Sequence, residues 1–394
     1  MLKFEPKVGG AFAALVALAL AGCVEADAPC PNVSTDLEGE CIAAVDDLTV
    51  ADLQAVGSHN SYKIAIPAAE LALIAATSPE AARSLDYGHI PLQEQLDLGM
   101  RQLELDVFYD PEGGRYADPA LARLTSGQDG SAPYDASQML APGFKVKHTQ
   151  DIDPRSHCPT FVGCLEEIEA WSRANPDHIP LLIMVNLKTG SLGIPGTVDA
   201  LDFDAAAFDA LDEEILGVFE PEHLITPDEV RGASATLREA VLERGWPALK
   251  AARGRLIFVL DTGSENVTTY LRGTSSLEGL PIFVNSLSED HDHAAYFTMN
   301  NPIRDGEMIA SRVAQGFLVR TRSDAGTEEA RTGDITRREA AFASGAHYIS
   351  TDYYAPRTEW SDFAVTLPGS SAARCNPVRR DNTCRSRPGG ETAE

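Results

Sequence analysis

The sequence predicts a single-domain (β/α)8 TIM barrel flanked by a disordered polar segment at each end, and three observations lead there. Eight short, β-rich apolar runs are separated by stretches whose apolar residues recur near helical spacing, as expected of βα units around a parallel sheet. No G-x-G-x-x-G follows the first run, so the dinucleotide-binding open sheet loses its main signature. The polar residues of chemical interest fall at the C-terminal ends of the runs, where barrel enzymes carry their sites.

The expected strands are 53–58, 101–108, 144–148, 181–187, 255–261, 281–285, 317–321 and 347–350, and the helical stretches between them include 161–173, 203–219, 237–252, 307–315 and 337–343. A chain of 394 residues has room for one such barrel, which typically takes about 250 residues, plus its flanks. The boundaries read as a leader over 1–23, a small acidic tether over 24–47, the barrel over 48–360 and a polar tail over 361–394.

The leader carries Lys3 and Lys7, an apolar core over 11–20, and then Leu20-Ala21-Gly22-Cys23. That core is too short to span a bilayer, and the residues before the cysteine fit a lipoprotein signal in which Cys23 becomes the lipid-bearing mature N-terminus. An ordinary secretory signal is the other reading, and both predict export. Setting Cys23 aside, seven cysteines become six, which fall in three local couples, Cys30 with Cys41, Cys158 with Cys164, and Cys375 with Cys384. Proximity suggests three short-loop disulfides among 15 formal connectivities, and no C-x-x-C spacing points to zinc or redox chemistry. The formal charge of −27 repels nucleic acid and leaves a phosphate ligand dependent on a local cationic pocket. Oligomeric state has no readable signal.

Strand by strand, the polar ends are His59 and Asn60, Glu104 and Asp106, His148, Asn186 and Lys188, Arg320 with Arg322 and Asp324, and Asp352. Glu104 and Asp106 are two apart, so both face into the barrel mouth while Leu103, Leu105 and Val107 face the helices. Two carboxylates buried together need a cation. It could be Arg101, Lys188 or Arg320, or a hard metal ion bound by oxygen donors such as these two and Asn60. His59 and His148 at strand ends form a pair in which one imidazole takes a proton while the other gives one. Lys188, Arg320 and Arg322 can gather a phosphate, with Lys145 and Lys147 as weaker candidates. His89, His157, His178, His223, His291, His293 and His347 read as surface, capping or packing residues.

Gly57-Ser58-His59-Asn60-Ser61-Tyr62, Leu103-Glu104-Leu105-Asp106, Lys147-His148-Thr149, Arg320-Thr321-Arg322-Ser323-Asp324, Ser344-Gly345-Ala346 and Thr351-Asp352-Tyr353 together resemble the bacterial calcium-dependent phosphoinositide-specific phospholipase C family. The resemblance implies Ca²⁺ held by Asn60, Glu104, Asp106 and a side chain at the end of the fourth strand, with His59 as general base and His148 as general acid. It also implies attack of the inositol 2-hydroxyl on its own phosphodiester, releasing diacylglycerol and a cyclic inositol phosphate. Where related enzymes commonly carry glutamate on the fourth strand, this chain has Asn186, which removes one negative charge from the expected ion site.

Two other functions compete. A glycerophosphodiester phosphodiesterase would use the same barrel, histidines and metal, but normally has arginine after its first histidine, where Asn60 stands. A surface lipoprotein that binds lipid or sugar without turnover is the reading Asn186 favours. A calcium-independent phospholipase would need a basic residue where Glu104 and Asp106 remain acidic.

Overall fold

The structure, a computed structural model, describes residues 46–368, 371–380 and 384. The expected leader with Cys23, most of the tether with Cys30 and Cys41, and the last ten residues of the tail lie outside the described residues.

The strands in chain order are β1 (Leu53–Ser58), β2 (Gln102–Phe108), β3 (Lys145–Val146), β4 (Leu181–Leu187), β5 (Leu256–Asp261), β6 (Phe283–Val284), β7 (Tyr296–Thr298), β8 (Leu318–Arg322), β9 (Tyr348–Thr351) and β10 (Ala373–Cys375). Eight of them run parallel in the order β1-β2-β4-β5-β6-β7-β8-β9, and β9 returns to β1 with Ser350 opposite Gly57. A single parallel bridge, Asn285 to Tyr296, carries the sheet across from β6 to β7 and closes the ring. This is the barrel that the sequence predicts, with helices outside it.

Its staves differ from the expectation in one exchange. The run 144–148 contributes only β3, which pairs antiparallel with the end of β2, Val146 opposite Val107, and is no stave of the barrel. The stave that replaces it in the count is β7, three residues long and unanticipated. Alternating apolar and basic residues look alike in parallel and antiparallel strands, and a three-residue strand is too short to show a period.

The helices form where their caps and apolar spacing dictate. Thr160 accepts the Gly163 amide at 3.2 Å to open Phe161–Ala174, whose Phe161, Leu165, Ile168 and Trp171 are buried on one face. Asp204 caps Ala205–Val218 through the Ala207 amide at 2.9 Å, and Asn301 with Pro302 starts Pro302–Gln315 five residues before the periodic pattern expected it. The stretch 237–252 splits into Leu237–Glu243 and Leu249–Ala252 around Gly245 and Pro247. The outward residues Leu103, Leu105 and Val107 are fully buried beneath the helix layer.

Part of the expected polar tail is ordered structure. β2 begins opposite Gly57 and leaves the first half of β1 unpaired on that side, and β10 fills it antiparallel, with Leu53 opposite Cys375 and Ala55 opposite Ala373. Arg374 forks onto Gln54 Oε1 at 2.9 and 2.6 Å, and Arg379 and Arg380 reach Asp52 at 3.2 and 2.9 Å. Cys158 is bonded to Cys164 and Cys375 to Cys384, two of the three local couples.

Where β1 meets β2 the approach is close. A Cβ on Gly57 would lie 2.5 Å from both the carbonyl oxygen and the Cβ of Gln102. Gly57→Ala should therefore cost about 1–3 kcal/mol and lower the thermal unfolding midpoint by about 2 to 8 °C. An unchanged midpoint would show that β1 and β2 can part without cost.

Two buried histidines confirm their reading as packing residues. His347 accepts the Val319 amide on Nδ1 at 3.1 Å and donates from Nε2 to Ala51 O at 2.9 Å, and burial pushes its pKa down to about 3. His89 donates from Nε2 to His59 O at 2.7 Å and is pushed down by burial to about 4. Both bind a proton more readily unfolded than folded. Their stabilising contribution is complete above the unfolded pKa of about 6.5 and is lost as pH falls toward the folded values. Denaturant titrations between pH 7 and pH 5 should show stability falling on acidification, by up to about 1.4 kcal/mol per pH unit for each group. A flat profile would contradict the neutral buried state of both.

Candidate active site

The C-terminal mouth of the barrel gathers His59, Asn60, Glu104, Asp106, Lys188, Arg320, Arg322 and Asp352 into one charge network. His59 follows β1 directly, its amide bonded to Thr351 O at 2.9 Å. Its Nδ1 lies 2.8 Å from Asp352 Oδ1, and its Nε2 lies 3.1 Å from Arg322 Nη1. A guanidinium has only donors, so Nε2 must present its lone pair and the ring proton must sit on Nδ1, given to Asp352. Burial, followed by the positive charges of Arg322, Arg320, His148 and Lys188, holds the imidazole well below its usual pKa. The ring is neutral, and its Nε2 lone pair is turned toward Arg322.

Asn60 takes a left-handed conformation, φ 48°, that asparagine tolerates better than most residues. This turns its side chain inward, where Nδ2 donates to Tyr87 Oη at 2.7 Å. Glu104 Oε2 is bonded to Arg320 Nη2 at 2.5 Å, and Oε1 lies 3.8 Å from His59 Nε2. Burial raises the Glu104 carboxyl to about 7, with Arg320 opposing and Asp106 and Asp261 adding to the rise. Asp106, fully buried, pairs with Lys188 Nζ at 2.9 Å. Of the cations weighed for the two acids, Arg320 and Lys188 are the partners. Arg101 lies at the opposite end of β2, donating to Leu96 O and Met100 O.

Arg320 is 1% exposed and also reaches Ser350 Oγ at 2.9 Å and Asn300 Oδ1. Arg322 pairs with Asp352 Oδ2 at 2.9 Å and Asp324 at 3.7 Å while keeping some exposed surface. Lys145 and Lys147 point into the β2–β3 connection: Lys145 donates to Ala141 O and Gly143 O, and Lys147 lies over the Tyr116 ring, pushed down by burial to about 7.

His148 is presented from the end of the β2–β3 ribbon. The backbones of Thr149 and Asp153 bridge each other at 3.2 and 3.0 Å, and this tight turn folds Asp153 back so that its Oδ2 meets His148 Nδ1 at 2.9 Å. Lys63 Nζ sits 3.3 Å from the same oxygen. Burial works to raise the Asp153 carboxyl, but Lys63 and His148 outweigh it and hold it below the usual range. Each histidine thus has a carboxylate on Nδ1 and an Nε2 left for other partners.

Three functional neighbours escaped the sequence reading. Asp153 stands only five residues after His148, but nothing in the spacing reveals the turn that brings them together. Tyr87, which orients Asn60, lies in an irregular segment. Asp261 ends β5 and was open to the same strand-end rule that found Asn186, its neighbour in register.

A hard cation fits the donors present. Asn60 Oδ1 and Asp106 Oδ1 are buried oxygens that accept no hydrogen bond, and they stand with Glu104 as an all-oxygen set. The set is compensated internally by Arg320 and Lys188, and among the described residues no three His, Cys, Asp or Glu side chains are already drawn together as a metal cluster.

Residues 48–377 match the family described as phosphoinositide phospholipase C, Ca²⁺-dependent. The chain belongs to that family. The match spans the whole barrel and β10. Among solved structures, the calcium-dependent phosphoinositol-specific phospholipase C of a Pseudomonas species, in its myo-inositol complex, is similar in fold with a TM-score of 0.54. Identity is 16%, over 87% of this chain and 99% of that one. The Ca²⁺-dependent phosphatidylinositol-specific phospholipase C of Streptomyces antibioticus matches at TM-score 0.48 and 18% identity, over 78% of this chain and 95% of that one. No curated protein sequence is similar enough to count as a relative. As a member of the phospholipase C family the chain is a phosphodiesterase.

Asp352→Asn would present an amide to His59 Nδ1 and favour the other tautomer. Nitrogen NMR should then show the ring proton on Nε2 in the variant and on Nδ1 in the wild type, with phosphodiesterase kcat reduced about 10²- to 10⁴-fold. An unchanged tautomer would mean that Arg322 alone orients the ring.

Proposed function

We propose that this phospholipase C family member cleaves phosphatidylinositol-type lipids with Ca²⁺ as cofactor, releasing diacylglycerol and a cyclic inositol phosphate. The observation that carries the reading is the pair of carboxylate-backed imidazoles, His59 with Asp352 and His148 with Asp153, at a mouth that also holds Lys188, Arg320 and Arg322.

In this reading His59 Nε2 accepts the proton of the inositol 2-hydroxyl, whose oxygen forms the new bond to phosphorus. The bond from phosphorus to the glycerol oxygen breaks, and His148 delivers a proton to that oxygen as diacylglycerol leaves. Asp352 supports the imidazolium formed at His59, and Asp153 holds His148 in place. Arg322 and Lys188, which keep solvent-facing surface, gather the phosphate, while buried Arg320 fixes Glu104. Asn60, Glu104 and Asp106, with Asn186 beside them, would hold Ca²⁺, which would supply positive charge to a phosphoryl oxygen and acidify the attacking hydroxyl. The leader would export the protein and anchor it to a membrane through lipidated Cys23, with the phosphoinositide lipid as its substrate partner.

The protein without residues 1–23 should release inositol phosphate from phosphatidylinositol vesicles when Ca²⁺ is added and not when it is chelated. His59→Ala should lower the rate by about 10²- to 10⁴-fold. Cleavage confined to deacylated glycerophosphodiesters would replace this function with the glycerophosphodiesterase one. Binding without any turnover would favour the lipid-binding lipoprotein.

A further inference from the structure

The strand that carries Asn186 and Lys188 lies between two acids. β4 pairs with β2 on one side and β5 on the other, and Asn186 is level with Asp106 on β2 and with Asp261 on β5. Neighbouring strands are about 4.8 Å apart, and side chains in register on a parallel sheet share a face, so both carboxylates project into the mouth on either side of Asn186. Lys188, two residues on, continues that face, and its amide is still bonded to Val107 O of β2 at 3.0 Å.

The two acids are treated differently. Asp106 holds the Lys188 ammonium at 2.9 Å. Asp261 meets the Asn285 amide at 3.4 Å and the Thr298 hydroxyl, and among the described residues no cation lies within 4.0 Å of it. Glu104 is paired with Arg320, Asp106 with Lys188 and Asp352 with Arg322, so Asp261 is the acid of this wall with no cation in contact.

A divalent cation that took both oxygens of Asp106 would compete for Oδ2 with the ammonium now 2.9 Å from it, and the two cations would repel in a poorly solvated mouth. Lys188 therefore has to move when Oδ2 of Asp106 turns to a metal. Its side chain is 26% exposed and built on a flexible stem, so it is free to swing, whereas Arg320, 1% exposed and held by three partners, is not.

We propose that Asp261 is the receiving partner of Lys188: as Asp106 is given up to a divalent cation, the ammonium crosses β4 from Asp106 to Asp261. The inference rests on the Ca²⁺ reading above and deepens it. It also accounts for Asn186. Asn186 carries no charge, and Asp261, level with it one strand over, supplies this wall with a carboxylate that keeps the displaced lysine clear of the ion.

The exchange is testable by calorimetric titration of Ca²⁺ into the chain without residues 1–23, with no substrate and no turnover involved. Lys188→Met removes the competitor and should tighten Ca²⁺ binding about tenfold. Asp261→Asn strands the lysine beside the ion and should weaken binding about tenfold. In the Lys188→Met background the Asp261→Asn change should shrink to less than about threefold, because the acid then has no lysine to receive. Equal losses in both backgrounds would reduce Asp261 to a distant charge and overturn the exchange, as would Asp261→Asn binding like the wild type. Thermal unfolding in chelator checks that each variant is folded. If Asp261→Asn is not, Lys188→Met decides alone, and unchanged Ca²⁺ affinity there overturns the proposal. A wild-type protein that binds no Ca²⁺ at millimolar concentration overturns the calcium reading itself, an outcome distinct from all of these.

Discussion

Acids buried in the mouth of this barrel need compensation, and the arrangement of the site follows from which of them receive it. Carboxylates brought out of water are costly unless paired and hydrogen-bonded. Glu104 on β2 meets Arg320 on β8, Asp106 meets Lys188 beyond β4, and Asp352 after β9 meets Arg322. Glu104 and Arg320 reach across the ring from β2 to β8, while the other two pairs tie neighbouring strands together, so the barrel's closure and the site's electrostatics depend on each other. Removing one partner would leave a buried charge alone, which is far more disruptive than losing a surface ion pair.

The histidines take their states from this network. Arg322 satisfies Asp352 and at the same time presents donors to His59 Nε2, and that fixes the tautomer. His89 holds the His59 carbonyl, and Tyr87 stacks beside the ring at 6.2 Å while bonding Asn60. His148 is served by Asp153 and, behind it, Lys63. Two imidazoles reached by different parts of the chain thus share one design, a carboxylate on Nδ1 with a cation behind it. Such support keeps a base in orientation without adding flexible parts to the site.

The residues that were legible in the sequence lie on long strands. Glu104 and Asp106 could be placed because β2 is seven residues long and alternates cleanly, so inward and outward faces follow from period two, and His59 and Asn60 because they directly follow the six-residue β1. Asp261 obeys the same rule at the end of β5. Asp153 does not, since its contact with His148 depends on a local turn rather than on any periodicity. β7 and β10 were hidden for a related reason: strands of three residues carry no pattern, and they form because neighbouring edges are open to them. The tail read as polar and disordered becomes a strand because β1 offers unpaired backbone where β2 begins late.

The sequence by itself determined the fold class, the family and the inward-facing acids and histidines, since these rest on periodicity and on short motifs whose geometry is set by the strand. Only the tertiary structure decided which cation answers which acid, which ring nitrogen carries the proton, and which acid is left over. Those outcomes depend on distances between strands far apart in the chain, as with Glu104 and Arg320, and no local pattern encodes them. The sequence offered Arg101, Lys188 and Arg320 as equal partners. The barrel's register put Arg101 at the wrong end, gave Glu104 and Asp106 one cation each, and left Asp261 without one.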